Sequence, residues 1–333
     1  MTPRAAHTVE RTAVTTLNPP FAPYGWMPNG QGDKLPESMP SRFRNEDGTP
    51  CPASSWVAWL DSHANRLASF LWPRWANGGW QGAISPEDAL DLIQADLQLM
   101  GPLSARLDAH VGQATATHRE LFHREDEGPP QVSDLFLYAP AADDALVLRF
   151  NALLIDGGVA LAAPASLELK QRMQRPRPYQ VSFILHPDKR HVYEVAHTAT
   201  TPSMVCGHCL QGALALADIV VRFEIESGRP LGHETLIGLQ QFLVDSGDRR
   251  VFAGVHYPSD NLSSWYTALR YCRRLEFTPT EDPAQIRWQR TRAREVLWAA
   301  VQLSAVHAAM VAQGAPYLRA LQILESEAMD PLP

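Results

Sequence analysis

The sequence predicts an all-α fold, a helical bundle behind an extended N-terminal arm, and three observations carry that reading. Apolar residues recur at helical spacing through most of the chain beyond residue 54. Helix starts and breaks are spelled out, as in Ser85-Pro86-Glu87-Asp88 and Gly128-Pro-Pro130. Strand signals are scarce, confined to Gln180–Leu185 and His191–Val195, which read as a short hairpin around Pro187-Asp188.

Residues 1–54 are rich in Pro, Gly and polar side chains and show no helical period, but Phe21, Tyr24, Trp26 and Met27 give them anchors. An extended arm packed on the body is expected, and residues 55–333 form the helical domain. From Ser54 the positions Trp56, Trp59, Leu60, Leu67, Phe70 and Leu71 form one helical stripe that Pro73 ends, and Trp72–Trp80 follows as a loop with large apolar anchors. Ser85 and Pro86, with acids in the first turn, start a helix whose stripe is Leu90, Ile93, Leu97 and Met100. Further helices are expected at Thr115–Arg124, Asp143–Leu154, Ala163–Gln174, Gly207–Glu226, Glu234–Ser246, Ser259–Arg274, Pro283–Ala312 and Pro316–Glu325, with a short apolar element at Val132–Tyr138.

Composition bounds the function. The chain has 333 residues, 45% hydrophobic and 20% charged, enough for a sizeable core of ordinary globular type. A net charge of −7 argues against nucleic acid as a partner and against an acidic membrane surface. No apolar run reaches the roughly 18 residues of a transmembrane helix, and the first ten residues lack the apolar stretch of a signal peptide. A soluble, cytoplasmic protein is the expectation; its oligomeric state is open. Four cysteines, at 51, 206, 209 and 272, are too few for a disulfide scaffold. His186, His191, His197 and His233 lack a tight ligand spacing, so no metal site is assigned. The arginines at 287, 290, 292 and 294 read as a solvated helix face.

Three stretches carry chemistry. In Thr201-Pro-Ser-Met-Val-Cys-Gly-His-Cys-Leu210 a loop ends in Gly207 and His208 and turns into a helix. Such a start exposes unpaired N–H groups and the positive end of the helix dipole, an anion site that Gly207 lets a ligand approach. His208 is placed to give a proton to a bound anion's leaving group. In Lys170-Gln-Arg-Met-Gln-Arg-Pro-Arg-Pro178 four cations fall close together, and Pro176 ends a helix so that Lys170 and Arg177 converge, a point charge with a bidentate fork suited to phosphate. In Arg250-Val-Phe-Ala-Gly-Val-His-Tyr-Pro-Ser-Asp260, Asp260 sits four residues after His256 and can hold that imidazole in one tautomer, with its other nitrogen facing a ligand.

In order these read Lys-x6-Arg-Pro, Gly-His at a helix start, and Arg-x5-His-x3-Asp. The pattern, over roughly residues 170–260, resembles the superfamily of type 2 phosphatidic acid phosphatases, bacterial acid phosphatases and vanadium-dependent haloperoxidases. Lys170, Arg177 and Pro178 match its first block, Gly207 and His208 the second, and Arg250, His256 and Asp260 the third. Two positions depart from it: Val205-Cys206 stands where the family has Pro-Ser, and Arg249 where it has Ser.

The resemblance implies the helical bundle of that superfamily and a phosphoester hydrolase acting on a soluble phosphate ester with no metal. His256 would be the nucleophile that forms a phosphohistidine, Asp260 would orient it, and His208 would protonate the leaving oxygen. Lys170, Arg177, Arg250 and the Gly207 amide would bind the phosphate oxygens. The alternatives are a haloperoxidase that holds vanadate in the same place, and an altered member in which Cys206 weakens the anion site. The Arg-Pro-Arg-Pro run and Gly-Val-His-Tyr-Pro-Ser-Asp resemble the phosphatase branch. Beside that helix start and the three cations, Cys206 is expected to ionise easily and to make the site redox-sensitive. Cys206-Gly-His-Cys209 is also a dithiol-oxidoreductase sequence, but the strand that should precede such a motif is missing.

Overall fold

A computed structural model describes residues 86–112, 115–127, 132–140 and 203–330 (Pro316 excepted), four strand segments, and single residues between 142 and 178, Lys170, Arg175, Arg177 and Pro178 among them. These residues are predominantly helical, as an all-α class requires, and the few strands are two or three residues long. The expected helices over 54–71, 143–154 and 163–174 lie outside the described residues or are described only at scattered positions, where Ala145, Leu146, Arg149, Ser166, Leu169 and Lys170 are helical. The arm over 1–54 lies outside as well, apart from one strand.

That strand, β1 (His7–Thr8), pairs antiparallel with β4 (Val192–Tyr193). Of the expected hairpin only this second half is described, and its partner is the N-terminal arm. The stretch read as a plain loop, Trp72–Trp80, instead contains β2 (Arg74–Ala76) and β3 (Gly79–Gln81), paired antiparallel with Trp75 opposite Trp80. Asn77-Gly78 stands between them in sequence, the dipeptide that tight two-residue hairpins favour.

The helices are α1 (Pro86–Ser104), α2 (His118–Glu127), α3 (Val132–Leu135), α4 (Gly207–Ser227), α5 (His233–Phe252), α6 (Pro258–Cys272), α7 (Pro283–Val301), α8 (Ala305–Gln313) and α9 (Leu318–Met329). The centre is α4, whose residues from Cys209 to Val221 are buried almost all round, Gln211 excepted, and which packs on α5, α6 and α7. A helix apolar on every side belongs inside a bundle. It closes on Gly228 at φ 65°, whose N–H bonds back to Glu224.

Two helices depart from their expected ends. Helix α5 runs six residues past Ser246, because Arg249 and Arg250 find buried partners in its last turn, where cations also suit the dipole. The single helix expected over Pro283–Ala312 is two, bent by 70°. Ser304 accepts from the His307 N–H and starts α8 anew, while buried Asp248 accepts from Ser304 Oγ at 2.9 Å and from the Val306 N–H at 3.2 Å. Among the described residues no single helix is long and apolar enough to cross a membrane.

Candidate active site

Lys170 is helical and buried, and its Nζ donates to the Ser203 carbonyl at 3.2 Å, just ahead of α4. Arg175 is tied to the same place, its carbonyl accepting from the Ser203 N–H at 2.9 Å. The second stretch is the N-terminus of α4, with Cys206 as the cap residue in extended conformation and no side-chain cap bond. Ser264 Oγ of α6 donates to the Cys206 carbonyl at 3.0 Å and pins that start in place. Gly207 fits closely here: a Cβ on it would lie 3.3 Å from Ser166 Oγ, tighter than most contacts. Gly207 and His208 keep partial exposure while Cys206 and Cys209 are sealed in.

The third stretch turns back on itself. Gly254 takes φ 77°, which L side chains resist, and the His256 N–H bonds to the Arg250 carbonyl at 3.1 Å. Pro258 then starts α6, and Asp260 in its first turn reaches back to accept from the Tyr257 N–H at 3.0 Å. The carboxylate that starts the helix therefore also faces the imidazole.

These turns bring the expected residues together. His256 Nδ1 meets Asp260 Oδ2 at 3.1 Å, and its Nε2 meets Arg177 Nη1 at 3.0 Å. Arginine can only donate, so Nε2 is the acceptor and Nδ1 carries the proton toward Asp260. His208 is arranged alike: Arg250 Nη2 lies 2.5 Å from its Nε2, and its ring also bonds the Glu125 backbone. Arg177 is further held by the Val255 carbonyl at 2.7 Å, and Arg250 by stacking 4.6 Å over the Phe122 ring. Lys170, Arg177, Arg250, His208 and His256 all sit close enough to perturb one another's charge.

The electrostatics follow from burial. His256 is pushed well below the usual imidazole range by burial first and Arg177 next, against the pull of Asp260. Burial, Arg250 and His256 do the same to His208. Lys170 is held well below the usual lysine range by burial and Arg177. Burial would raise Asp260, but Arg175, His256 and the Tyr257 N–H outweigh it and bring the carboxyl down to about 2. The arrangement is a neutral, oriented imidazole beside a cluster of cations.

Cys206 corrects the expectation of an easily ionised thiol. Burial pushes it up to about 11, and Arg250 and Lys170 do not offset that cost. Among the described residues Cys206, Cys209 and Cys272 are all free, so Cys206 and Cys209 form no disulfide. Arg249, at the other departure, is explained by packing: it donates to buried Glu125 through Nε and Nη2 and to Tyr138 Oη through Nη1 at 2.8 Å. Glu125 in turn lends its backbone to His208.

Sequence reading missed four residues. Arg175, buried, donates to Asp260 Oδ1 at 2.6 Å, Ser259 Oγ at 2.9 Å and Asp96 Oδ2 at 2.9 Å, and lies 3.8 Å over the Tyr257 ring. Asp96 of α1 accepts as well from Tyr317 Oη at 2.6 Å and from Ser259. A signal for Asp96 was present, a carboxylate three residues after Ile93 and four before Met100 on an otherwise apolar stripe. Arg175 stood in the Arg-Pro-Arg-Pro run; Glu125 and Tyr317 carried no mark. No protein-family model matches the chain, and it matches neither a curated protein nor a solved structure, so its function is read from these residues alone.

Proposed function

We propose that the chain is a phosphoester hydrolase that works without a metal ion, through a phosphohistidine, on a soluble phosphate ester, as its likeness to the acid phosphatases and vanadium haloperoxidases implies. One observation carries this: each of two histidines turns its Nε2 toward a different arginine of one cation cluster, at 3.0 Å for His256 and 2.5 Å for His208. An ester phosphate entering between them accepts the donors of Arg177 and Arg250 and the charge of Lys170, and frees both Nε2 atoms. The His256 Nε2 lone pair then forms the P–N bond as the P–O bond to the leaving group breaks, with Asp260 Oδ2 holding Nδ1–H. The leaving oxygen takes a proton from His208, whose affinity for that proton rises when the anion offsets Arg250. Water, deprotonated by His208, attacks phosphorus in the second half; the P–N bond breaks and phosphate leaves. The cations supply the transition-state charge that phosphoryl transfer needs. They also disfavour a divalent ion, and Asp96 and Asp260 are already committed to Arg175 and His256.

The test is hydrolysis of p-nitrophenyl phosphate with a chelator present, with inhibition by vanadate, which the same residues Lys170, Arg177, Arg250 and His256 would hold. Activity that survives chelation and labels His256 with phosphate supports the reading. Activity restored only by a divalent ion overturns it, and vanadate-dependent bromide oxidation without hydrolysis assigns the chain to the haloperoxidase alternative.

A further inference from the structure

We propose that Arg175 is a positioning residue for the nucleophile, and that Asp96 and Tyr317 fix Arg175 in that role. The inference rests on the reading of His256 as the nucleophile. Its basis is the division of one carboxylate between two partners. Asp260 Oδ1 accepts from Arg175 at 2.6 Å, and Asp260 Oδ2 accepts from the Tyr257 N–H at 3.0 Å and faces His256 Nδ1 at 3.1 Å. With Oδ1 taken, the carboxylate cannot rotate, so the oxygen offered to the imidazole is always Oδ2.

Arg175 cannot wander either. Its second amino group donates to Asp96 Oδ2 at 2.9 Å, its face lies 3.8 Å over Tyr257, and Asp96 is anchored by Tyr317 at 2.6 Å. The line Tyr317–Asp96–Arg175–Asp260–His256 thus runs from the C-terminal part of the chain through α1 to Nδ1 of the imidazole whose Nε2 would attack. It is buried throughout, where hydrogen bonds are strong and a missing partner is costly. Arg175 spans both carboxylates, so Asp96 fixes the guanidinium that holds Asp260 ionised beside the imidazole. Arginine is required because its fork reaches both carboxylates at once, which a lysine ammonium cannot do with the same geometry.

The experiment uses the full chain and the variants Arg175→Gln, Arg175→Lys and Asp96→Asn. The ¹⁵N spectrum of the His256 ring reads the tautomer directly, and kcat, KM and the pH profile are measured on p-nitrophenyl phosphate. In the parent protein Nδ1 carries the proton. In Arg175→Gln the ring should become a mixture of tautomers, and kcat should fall about ten- to a hundredfold, the usual effect of removing an outer hydrogen-bond partner. KM should stay nearly constant, because Arg175 gives its Nη donors to Asp260, Ser259 and Asp96. The acid limb of the kcat profile should move to higher pH, since Asp260 has lost the cation that keeps it ionised. Arg175→Lys and Asp96→Asn should shift the same signals less. Should Arg175→Gln not fold, these two variants decide. An unchanged His256 tautomer in the folded variants, or a raised KM at constant kcat, overturns the proposal. Should the parent protein hydrolyse no phosphoester, the proposed function fails, while the ring spectra still decide whether Arg175 and Asp96 orient His256.

Discussion

At the scale of single residues, burial outweighs neighbouring charge at one position and yields to it at another. Asp260 and Cys206 are both fully enclosed and both lie near cations, yet the carboxyl falls to about 2 while the thiol climbs to about 11. The difference is contact: Asp260 has Arg175 at 2.6 Å, whereas the Cys206 thiol is eased mainly by the Cys209 backbone, with Arg250 and Lys170 contributing less. Cys206 in the folded protein at pH 8 should therefore resist iodoacetamide while the unfolded chain is alkylated, as mass spectrometry of the two will show. Rapid modification of the folded form would restore the reactive-thiol expectation. The two histidines should separate by leaving group. His256→Ala should abolish hydrolysis of every ester. His208→Ala should retain most activity on p-nitrophenyl phosphate and lose about a hundredfold or more on an alkyl phosphate, within the range of general-acid effects. Equal losses on both would contradict the acid role. The three blocks were legible because each packs its chemistry within eleven residues of sequence. Asp96, Glu125 and Tyr317 reach the site only through the tertiary fold, and Tyr317 lies 221 residues from the Asp96 it anchors.

At the scale of elements, the site exists because α4 and α5 approach closely. Gly247 lies at their crossing, where a Cβ would come within 2.9 Å of Cys209 Cβ and 3.2 Å of its Sγ. Cys209 follows His208, and Arg250 is one turn beyond Gly247, so this contact sets the Arg250–His208 pair. Gly247→Ala gains about 0.5–1 kcal/mol of helix propensity but forces an overpacked contact that costs about 1–3 kcal/mol. Net destabilisation is expected, readable as a lower urea midpoint, with a loss of activity larger than the stability change explains. A more stable variant with full activity would show that the helices can separate freely. The same scale shows where sequence reading of elements stops short. The periods of α1, α4 and α6 were plain, but the end of α5 depended on partners for Arg249 and Arg250. The bend after α7 depended on Asp248, which approaches from α5 and accepts from Ser304 and Val306. No local pattern announces a cap supplied by another helix.

At the scale of the whole molecule, burying Lys170, His208 and His256 is a cost that the bundle carries. Lys170, His208 and His256 all bind protons more weakly folded than unfolded, from ordinary values of 10.5, 6.5 and 6.5. Wherever the unfolded chain holds more protons, stability falls as pH falls. Each histidine therefore withdraws stability as pH drops below about 6.5 toward its lowered folded value, and Lys170 does so from about 10.5 downward. Asp248 works the other way. Burial raises it from 3.8 to about 7, so the folded protein keeps a proton that the unfolded chain releases, and stability is gained as pH falls from about 7 toward 3.8. An oxyanion would sit on the first three groups and not on Asp248, which is packed against Ser304. It would raise their proton affinity and cancel their share of the cost. Sulfate makes the test clean because it stays a dianion throughout. Its increase in Tm over sodium chloride of equal ionic strength should be larger at pH 5.5 than at pH 8, and binding should take up protons in calorimetry. At a concentration about 100 times Kd the stabilisation should reach about 2.7 kcal/mol. In Arg177→Gln the shift should shrink at both pH values. A sulfate shift equal at pH 5.5 and pH 8 would mean that Lys170, His208 and His256 do not share one anion, and the site assembled from three separate stretches would lose its common ligand.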